Sequence, residues 1–361
     1  MLGRALPWDV YTASGVLIAT AGMTLADPAQ LARLTARPLF RQAGDDDTGS
    51  DLPDRLALVM RDYPLVLRQA GTHDLEPSIR DLLRVLTQLL HDDHDATLGL
   101  IRLMPMRDAA ARHTLLATLM VLDLSARARM DEDARTSVAA ASLTMNIAAM
   151  RLHADLAEGR VGFDPQTRDD LTRHPEYGAR LLEASGVTDP IWLTAVRQHH
   201  EHLDGSGYPH GLRDDDISLG ARLLRVADVY AARISGRRYR APKSPLSAYK
   251  HLFGGERGRI DAQVALLLPR QIGLYPPGTL VRLANREVAV VLRREGTGEN
   301  AGHVMAFMEA RGRLLKLPVE RDTALVSYAV VGVTEVEPTW PAIDWPVFWG
   351  YPASLPPQPL T

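Results

Sequence analysis

The sequence predicts a mainly α fold, with a small N-terminal α/β module before the helical part and an antiparallel β extension after it. Between about residues 76 and 272, apolar residues recur at the three- and four-residue spacing of amphipathic helices. After Gly278 the apolar period changes to two, which is typical of strands. Shorter alternating segments near the N-terminus indicate a further hairpin. We therefore predict four segments, at residues 1–75, 76–272, 273–338 and 339–361.

Composition limits the functional classes. The chain has 361 residues, 46% of them hydrophobic and 24% charged, which is ordinary for a globular protein. A formal net charge of −3 gives no reason to expect nucleic-acid binding, and the absence of cysteine excludes disulfides and thiolate metal sites. No apolar run approaches the roughly 20 residues that span a bilayer, and the start does not resemble a signal peptide. We expect a cytoplasmic protein without a membrane span.

The N-terminal module is predicted from local patterns. Residues 6–25 alternate between apolar and polar around a turn at residues 12–15, which predicts a hairpin. A short helix is expected at residues 27–36, because Asp27 and Pro28 are typical of a helix start. Residues 44–51 form an acidic segment that we interpret as a solvated linker. A calcium loop is disfavoured there because the acid spacing and closing Glu of an EF-hand are absent.

The C-terminal extension is predicted from alternation and turn residues. We expect a hairpin over residues 279–292, a second hairpin over residues 303–317, and a strand within residues 324–333. The following tail is rich in proline and contains Trp340, Trp345 and Trp349. These side chains could form a contact surface, but we expect them to pack back on the domain.

Two polar features of the helical part each admit a structural interpretation. Residues 91–95 contain a literal His-Asp pair, which we interpret as a solvated turn between helices rather than as a metal site. Asp228 lies within a strongly apolar helix, so its carboxylate must be paired or must coordinate a cation. An ion pair with Arg225 or Arg233 is the structural alternative.

The most informative stretch is residues 199–212. Two adjacent histidines, His199 and His200, end an apolar helix, and a glycine-rich turn that contains an acid and a tyrosine follows. Histidine is the commonest side-chain metal ligand, so the pair favours a metal centre. The whole stretch resembles the HD-GYP phosphodiesterase motif HHE-x-x-DG-x-GYP-x-GL, and the resemblance extends over about residues 76–272.

The resemblance implies an all-helical HD-superfamily domain that holds two or three metals, usually iron or manganese. In that family, a hydroxide that bridges the metals attacks a phosphodiester of the bacterial second messenger cyclic di-guanylate. The matching metal ligands in this chain are His113, His174, His199, His200 and Asp228. The matching nucleotide-contact residues are Gly207, Tyr208 and Pro209 in the loop and the basic pair Arg237 and Arg240.

The chain departs from the family at the motif that names it. Where the family has His-Asp-x-Gly-Lys, this sequence has Met145 and Asn146, with Ala149 in place of the Lys. A neutral amide is a poor bridge between two cations, and a thioether suits iron or manganese badly. A further ligand found in some members, one turn before the first His, falls on Ala109.

Three functions follow from the resemblance and this departure. We favour a catalytically degenerate HD-GYP protein that acts in bacterial cyclic di-guanylate signalling, as a nucleotide-binding or protein-interaction module. The alternatives are an active metal-dependent phosphodiesterase with a rearranged site, and a pure scaffold for a diguanylate cyclase or another regulator. The centre is expected to hold either one iron or manganese ion or none.

Overall fold

The computed structural model describes residues 52–106, 108–157, 159–235, 243–294, 302–337 and 339–351, together with a few positions before residue 52. The fold is mainly α with a C-terminal antiparallel sheet, which confirms the predicted class. None of the described helices has the length and apolar content needed to cross a bilayer. The helices are α1 Leu52–Leu67, α2 Glu76–Asp92, α3 His94–Leu103, α4 Ala109–Arg127, α5 Glu132–Thr144, α6 Met150–Ala157, α7 Pro165–Ala184, α8 Pro190–Gln198, α9 Leu219–Ile234, α10 Pro245–Lys250 and α11 Ala262–Ile272.

Aspartate caps fix where many of these helices begin. In each case the carboxylate accepts a hydrogen bond from a backbone N–H of the first turn, which otherwise has no partner within the helix. Proline follows the cap directly in α7 and α8, where its missing N–H costs nothing. The capping residues are Asp93, Asp108, Asp131, Asp164, Asp189 and Asp261.

The helical core surrounds α4, which packs against α5 and α9. Trp192 of α8 is fully buried, and its indole N–H donates to the Thr144 hydroxyl at 2.7 Å. The Tyr63 hydroxyl donates to the Leu143 carbonyl at 2.6 Å. These two bonds hold the C-terminal end of α5, so the segment after it has a fixed starting point.

Helix α1 was not predicted from the sequence. Its apolar side chains, including Leu56 and Tyr63, are buried in the same core as those of the later helices. Proline occurs at both of its ends, as Pro53 and Pro64, and this obscured the helical pattern. The predicted domain limits themselves remain a prediction.

Residues 91–95 do form a break between helices, but the solvated interpretation is wrong at His94. Helix α2 ends at Asp92 and α3 begins at His94. The His94 imidazole is mostly buried, and its Nε2 lies 2.8 Å from a carboxylate oxygen of Asp123 on α4. Its Nδ1 lies 3.3 Å from Asp95. His94, which was predicted to lie in a solvated turn, therefore connects α3 to α4 through Asp123.

The N-terminal hairpin is confirmed where the structure describes it. Strands β1 (Val10–Tyr11) and β2 (Leu17–Ala19) pair antiparallel, and β3 (Phe40–Arg41) pairs with the other edge of β1. The turn at residues 12–15 and the predicted linker at residues 44–51 lie outside the described residues. The predicted helix at residues 27–36 also lies outside them, apart from Asp27.

The C-terminal extension is a five-stranded antiparallel sheet, and both predicted hairpins are confirmed. The third predicted strand begins later than expected, at Val330. Trp345 and Trp349 are buried in the main core, and the Trp349 indole donates to the Leu292 carbonyl at 3.0 Å. The expectation that these tail tryptophans pack back is therefore confirmed. The strands are β4 Leu280–Leu283, β5 Val288–Val291, β6 His303–Met308, β7 Leu314–Asp322 and β8 Val330–Thr334. Their order in the sheet is β7-β6-β5-β4-β8.

Candidate metal centre

Helix α7 presents His174 in one tautomer because of the residue that follows it. Pro175 has no N–H, so the Leu171 carbonyl four residues earlier receives no helical hydrogen bond from it. The His174 Nδ1 donates to that carbonyl instead, at 2.6 Å. The proton is therefore assigned to Nδ1, and Nε2 is left with its lone pair directed away from the helix.

The end of α8 produces the same arrangement at His199. The last carbonyls of a helix have no partner within it, and the His199 Nδ1 donates to the Val196 carbonyl at 2.7 Å. Its Nε2 lies 3.2 Å from the His174 Nε2. His200, the next residue, completes a group whose ligand nitrogens all lie within 4.8 Å of one another. In the described part of the chain this is the one group of three or more such ligands that could hold a metal ion.

The electrostatics of this histidine trio, His174, His199 and His200, favour neutral rings. Burial lowers the pKa of His174, and burial together with His174 lowers the pKa of His199 to about 3. Burial and the neighbouring imidazoles also hold the pKa of His200 well below its usual range. Two acceptor lone pairs 3.2 Å apart repel each other unless a cation lies between them. Two nitrogens that bind one tetrahedral ion at their normal bond length are about 3.3 Å apart.

The two other predicted ligands pair with each other. The His113 Nε2 and an Asp228 carboxylate oxygen are 2.8 Å apart, between α4 and α9. Burial raises the pKa of Asp228, but the His113 hydrogen bond and the charge of Arg225 help to outweigh burial, and the pKa lies well below its usual range. The His113 Nδ1 is buried without a hydrogen-bond partner among the described residues. The structural alternative for Asp228, an ion pair with Arg225 or Arg233, is not found among the described residues, where His113 is the hydrogen-bond partner.

Arg225 nevertheless contributes a permanent positive charge close to the site. Its Nη2 lies 3.1 Å from Glu256 and 3.1 Å from the His202 Nε2. Its Nε is buried without a hydrogen-bond partner in the described part of the structure. The charge contributes to the lowered pKa of His200 and Asp228. Arg233 contacts His251 at 2.6 Å instead.

The loop after His200 places Tyr208 against the histidine trio. The Tyr208 ring stacks on the His200 ring at 4.8 Å between centroids. Gly207 is required there, because a Cβ would collide with the backbone of Glu201. The buried Glu201 carboxylate accepts the backbone N–H of His210 at 2.7 Å and that of Leu212 at 3.0 Å. Glu201 therefore holds the loop, a role that the sequence did not predict.

The segment Met145–Ala149, which the resemblance aligns with the family's naming motif, is a turn between α5 and α6 in which every residue except Ala148 is buried. Ile147 lies near Gly178 of α7, one turn after His174. Met145, Asn146 and Ala149 are all buried, and none of the three has an ionisable side chain.

Some functional positions fall outside the prediction or outside the structure. Helix α6 places the His153 ring 5.9 Å from the His174 ring, and nothing in the sequence pattern singled this residue out. A histidine on the helix that follows the altered motif was the signal available. Arg237 and Arg240 lie outside the described residues.

The donor set fits one metal ion and does not fit a carboxylate-bridged pair. Three neutral imidazoles converge, and nitrogen ligands of this kind suit zinc, copper, iron or nickel. A bridged pair needs an anionic ligand between the ions, and the position that would provide it carries Asn146. Asp228, the one carboxylate among the predicted metal ligands, is hydrogen-bonded to His113.

The helical part of the chain is similar to known proteins. The sequence profile described as "HD domain" matches residues 84–264, half of the chain. The cyclic di-GMP phosphodiesterase PA4108 of Pseudomonas aeruginosa is 28% identical over 220 residues, which cover 61% of this chain and 53% of that protein. The response regulator RpfG of Xanthomonas campestris, a cyclic di-GMP phosphodiesterase, is 38% identical over 98 residues, or 26% of each protein.

A solved structure shows the same fold. The HDG"Y"P protein Bd1817 from Bdellovibrio bacteriovorus superposes with a TM-score of 0.50 at 16% identity, over 73% of this chain and 94% of that one. The chain therefore belongs to the HD domain family. Its similarity to the Pseudomonas phosphodiesterase supports the resemblance to HD-GYP proteins. It spans about half the length of the Pseudomonas relative and a quarter of RpfG.

Proposed function

We propose that this chain is a catalytically degenerate HD-GYP protein that binds cyclic di-guanylate and does not hydrolyse it through a two-metal centre. The observation that carries the proposal is the neutral, buried turn at Met145, Asn146 and Ala149 beside the helix of His174. Two-metal hydrolysis requires two ions a few ångströms apart, held between shared ligands. Three neutral imidazoles and one neutral amide do not supply that arrangement.

Nucleotide binding is supported by the groups that remain. Tyr208 is partly exposed and stacked on His200, and an aromatic ring of this kind can stack on a base. Arg225 provides a cation close to the trio, and Arg237 and Arg240 match the family's phosphate-contacting pair. The relatives are named for cyclic di-GMP, which makes this dinucleotide the first ligand to test.

The histidine trio also supports a second candidate function, a phosphodiesterase with one metal ion. Three histidines with an open fourth position are a known catalytic donor set, and the 3.2 Å separation of His174 and His199 suits it. An ion bound there would polarise a phosphate oxygen and lower the pKa of a bound water. The residues of this chain would orient the substrate, with Tyr208 next to the ring of His200.

The deciding experiment incubates protein loaded with manganese or iron(II) with cyclic di-guanylate and measures the linear product by chromatography. We expect no product above that of the His199→Ala variant. Turnover in the unmodified protein that His199→Ala abolishes would overturn the degenerate assignment in favour of the one-metal enzyme.

Calorimetric titration with cyclic di-guanylate tests the binding half of the proposal. We expect Tyr208→Ala and Arg237→Ala each to weaken binding by about tenfold, as expected for loss of one stacking or charge-assisted contact. Arg173→Ala is the matched control, because this exposed arginine lies on α7 and contacts Asp169 and Tyr177 on its own helix. No heat of binding to the unmodified protein would leave a pure scaffold as the function.

A further inference from the structure

A cavity that is separate from the histidine trio lies at the junction of the helical domain and the C-terminal sheet. Its volume is about 410 Å³, within the range of small-molecule sites, and its walls come from α3, α4, the end of α9 and the strands β4 and β8. It shares no lining residue with the histidine trio, the His113–Asp228 pair or the Tyr208 loop. Its role is therefore separate from the function proposed above.

Two arginines give this cavity its chemical character. Arg102 donates from Nη1 to the Pro277 carbonyl at 2.9 Å and to the Thr279 hydroxyl at 2.9 Å. Arg112 donates to the carbonyls of Arg102 and Met106, at 2.8 Å and 3.1 Å. Neutral acceptors thus hold both guanidinium groups in place. These bonds use the Nη1 of Arg102 and both Nη atoms of Arg112.

Neither arginine is neutralised. No carboxylate of a described residue forms a salt bridge with Arg102 or Arg112, whereas arginines elsewhere, such as Arg321 with Glu287, are paired. Burial lowers the pKa of both guanidinium groups, and for Arg102 the nearby Tyr230 and Tyr249 offset this only in part. A buried guanidinium without an anion is costly, so an anionic ligand would stabilise this arrangement.

The remaining lining residues define which anion fits. Lys243 adds a third positive charge, and Glu335 is the one acid among the described residues of the cavity wall. The resulting excess of two positive charges matches a dianionic phosphate monoester better than a monoanionic carboxylate. Ser235 and Thr279 add hydroxyl groups, and Leu103, Met106, Leu116, Ile234 and Leu280 provide an apolar wall.

We propose that this junction cavity binds a small phosphate monoester that has an apolar or aromatic body, with Arg102 and Arg112 on the phosphate. Guanidinium groups match phosphate oxygens in charge and in planar geometry, and a cavity of this size accepts a mononucleotide. The ligand bridges the helical domain and the sheet, because Arg112 lies on α4 and the Thr279 hydroxyl precedes β4.

Calorimetric titration of the full chain with 5′-GMP and, as an uncharged match, guanosine tests the proposal. We expect binding of 5′-GMP only, weakened by about tenfold in Arg112→Gln and by a few-fold in Lys243→Ala, since each change removes one charge-assisted contact. Arg313→Gln and Lys250→Ala, at exposed positions outside the cavity, should bind as the unmodified protein does.

The double variant His199→Ala/His200→Ala separates this cavity from the metal centre and should retain 5′-GMP binding. Equal heat from guanosine, binding that Arg112→Gln leaves unchanged, or binding that the double histidine variant abolishes would each overturn the proposal. Circular dichroism establishes that the variants are folded. If Arg112→Gln does not fold, Lys243→Ala decides the outcome, because this side chain is exposed.

Discussion

The buried histidines of this protein fall into two groups that differ in what their ring nitrogens contact. His174 and His199 each donate from Nδ1 to a carbonyl of their own helix, which leaves both Nε2 atoms free to face each other. His94 and His113 instead present Nε2 to a carboxylate, that of Asp123 and Asp228 respectively. The first group leaves nitrogen lone pairs open to a metal ion, and the second group is hydrogen-bonded to carboxylates.

This difference shows why counting histidines overstates the centre. Five groups match the family's ligands in sequence, but three of them converge in space and two hold each other. The turn at Met145–Ala149 contacts α7 near Gly178, one turn after His174, and carries no ionisable side chain. The proposed one-ion centre therefore rests on the three histidines whose ligand atoms converge, His174, His199 and His200.

The largest expected effect is on metal affinity at His199. His199→Ala should weaken binding of zinc or manganese by more than about 100-fold, since losing a direct ligand costs more than losing the partner of one. Metal titration monitored by calorimetry measures the change. His210→Ala is the control, because His210 lies in the loop that follows His200 and its side chain is half exposed. Equal losses in both variants would remove the distinction between ligand and structural histidines.

Asp228→Asn should have the opposite profile. It removes a charge-assisted hydrogen bond to His113 in a buried site, so we expect the free energy of unfolding to fall by about 1.5–3 kcal/mol in urea titrations. Metal affinity should change by less than about tenfold, because the trio does not include this carboxylate. An affinity loss as large as that of His199→Ala would place Asp228 among the ligands. Asp169→Asn, on the surface of α7, serves as the control.

The smallest expected effect is a pH dependence that comes from His94. Burial lowers its pKa, but hydrogen bonds to Asp123 and Asp95 outweigh burial and the charge of Arg294 and raise it to about 9. Because the folded-state pKa lies above the unfolded value, the stabilisation is complete below about pH 6.5 and is lost as pH rises towards 9. Allowing for partial exposure, we expect a loss on the order of 1–2 kcal/mol.

Urea unfolding at pH 6.5 and 9.5 measures this loss, and His94→Gln should make the two values more nearly equal. His91→Gln is the matched control, because His91 is exposed at the end of α2. An unchanged pH dependence in His94→Gln would assign the effect to other groups.

Local patterns in the sequence predicted much of the fold and part of the site. Helical spacing located the central helices, and the change of period located both hairpins of the sheet, because these signals arise within a few residues. The convergence of His174 with His199 and His200 followed from the motif resemblance. The physical reason for the His174 orientation, the missing N–H of Pro175, is also local.

What the sequence did not predict depends on contacts between distant segments. His113, the partner of Asp228, lies 115 residues away, and Asp123, the partner of His94, lies 29 residues away on another helix. Helix α1 was missed because its prolines hid the apolar pattern that its burial explains. The junction cavity required the packing of the sheet against α3 and α4, which no local pattern indicates.

The number of metal ions per chain tests the central claim most directly. Elemental analysis of purified protein saturated with manganese or zinc and then desalted should give one ion per chain, held by His174, His199 and His200. The Met145→His/Asn146→Asp variant, which restores the lost ligands, should raise the ratio towards two. Two ions per chain in the unmodified protein would contradict the account, because Asn146 would then lie beside a complete two-metal centre.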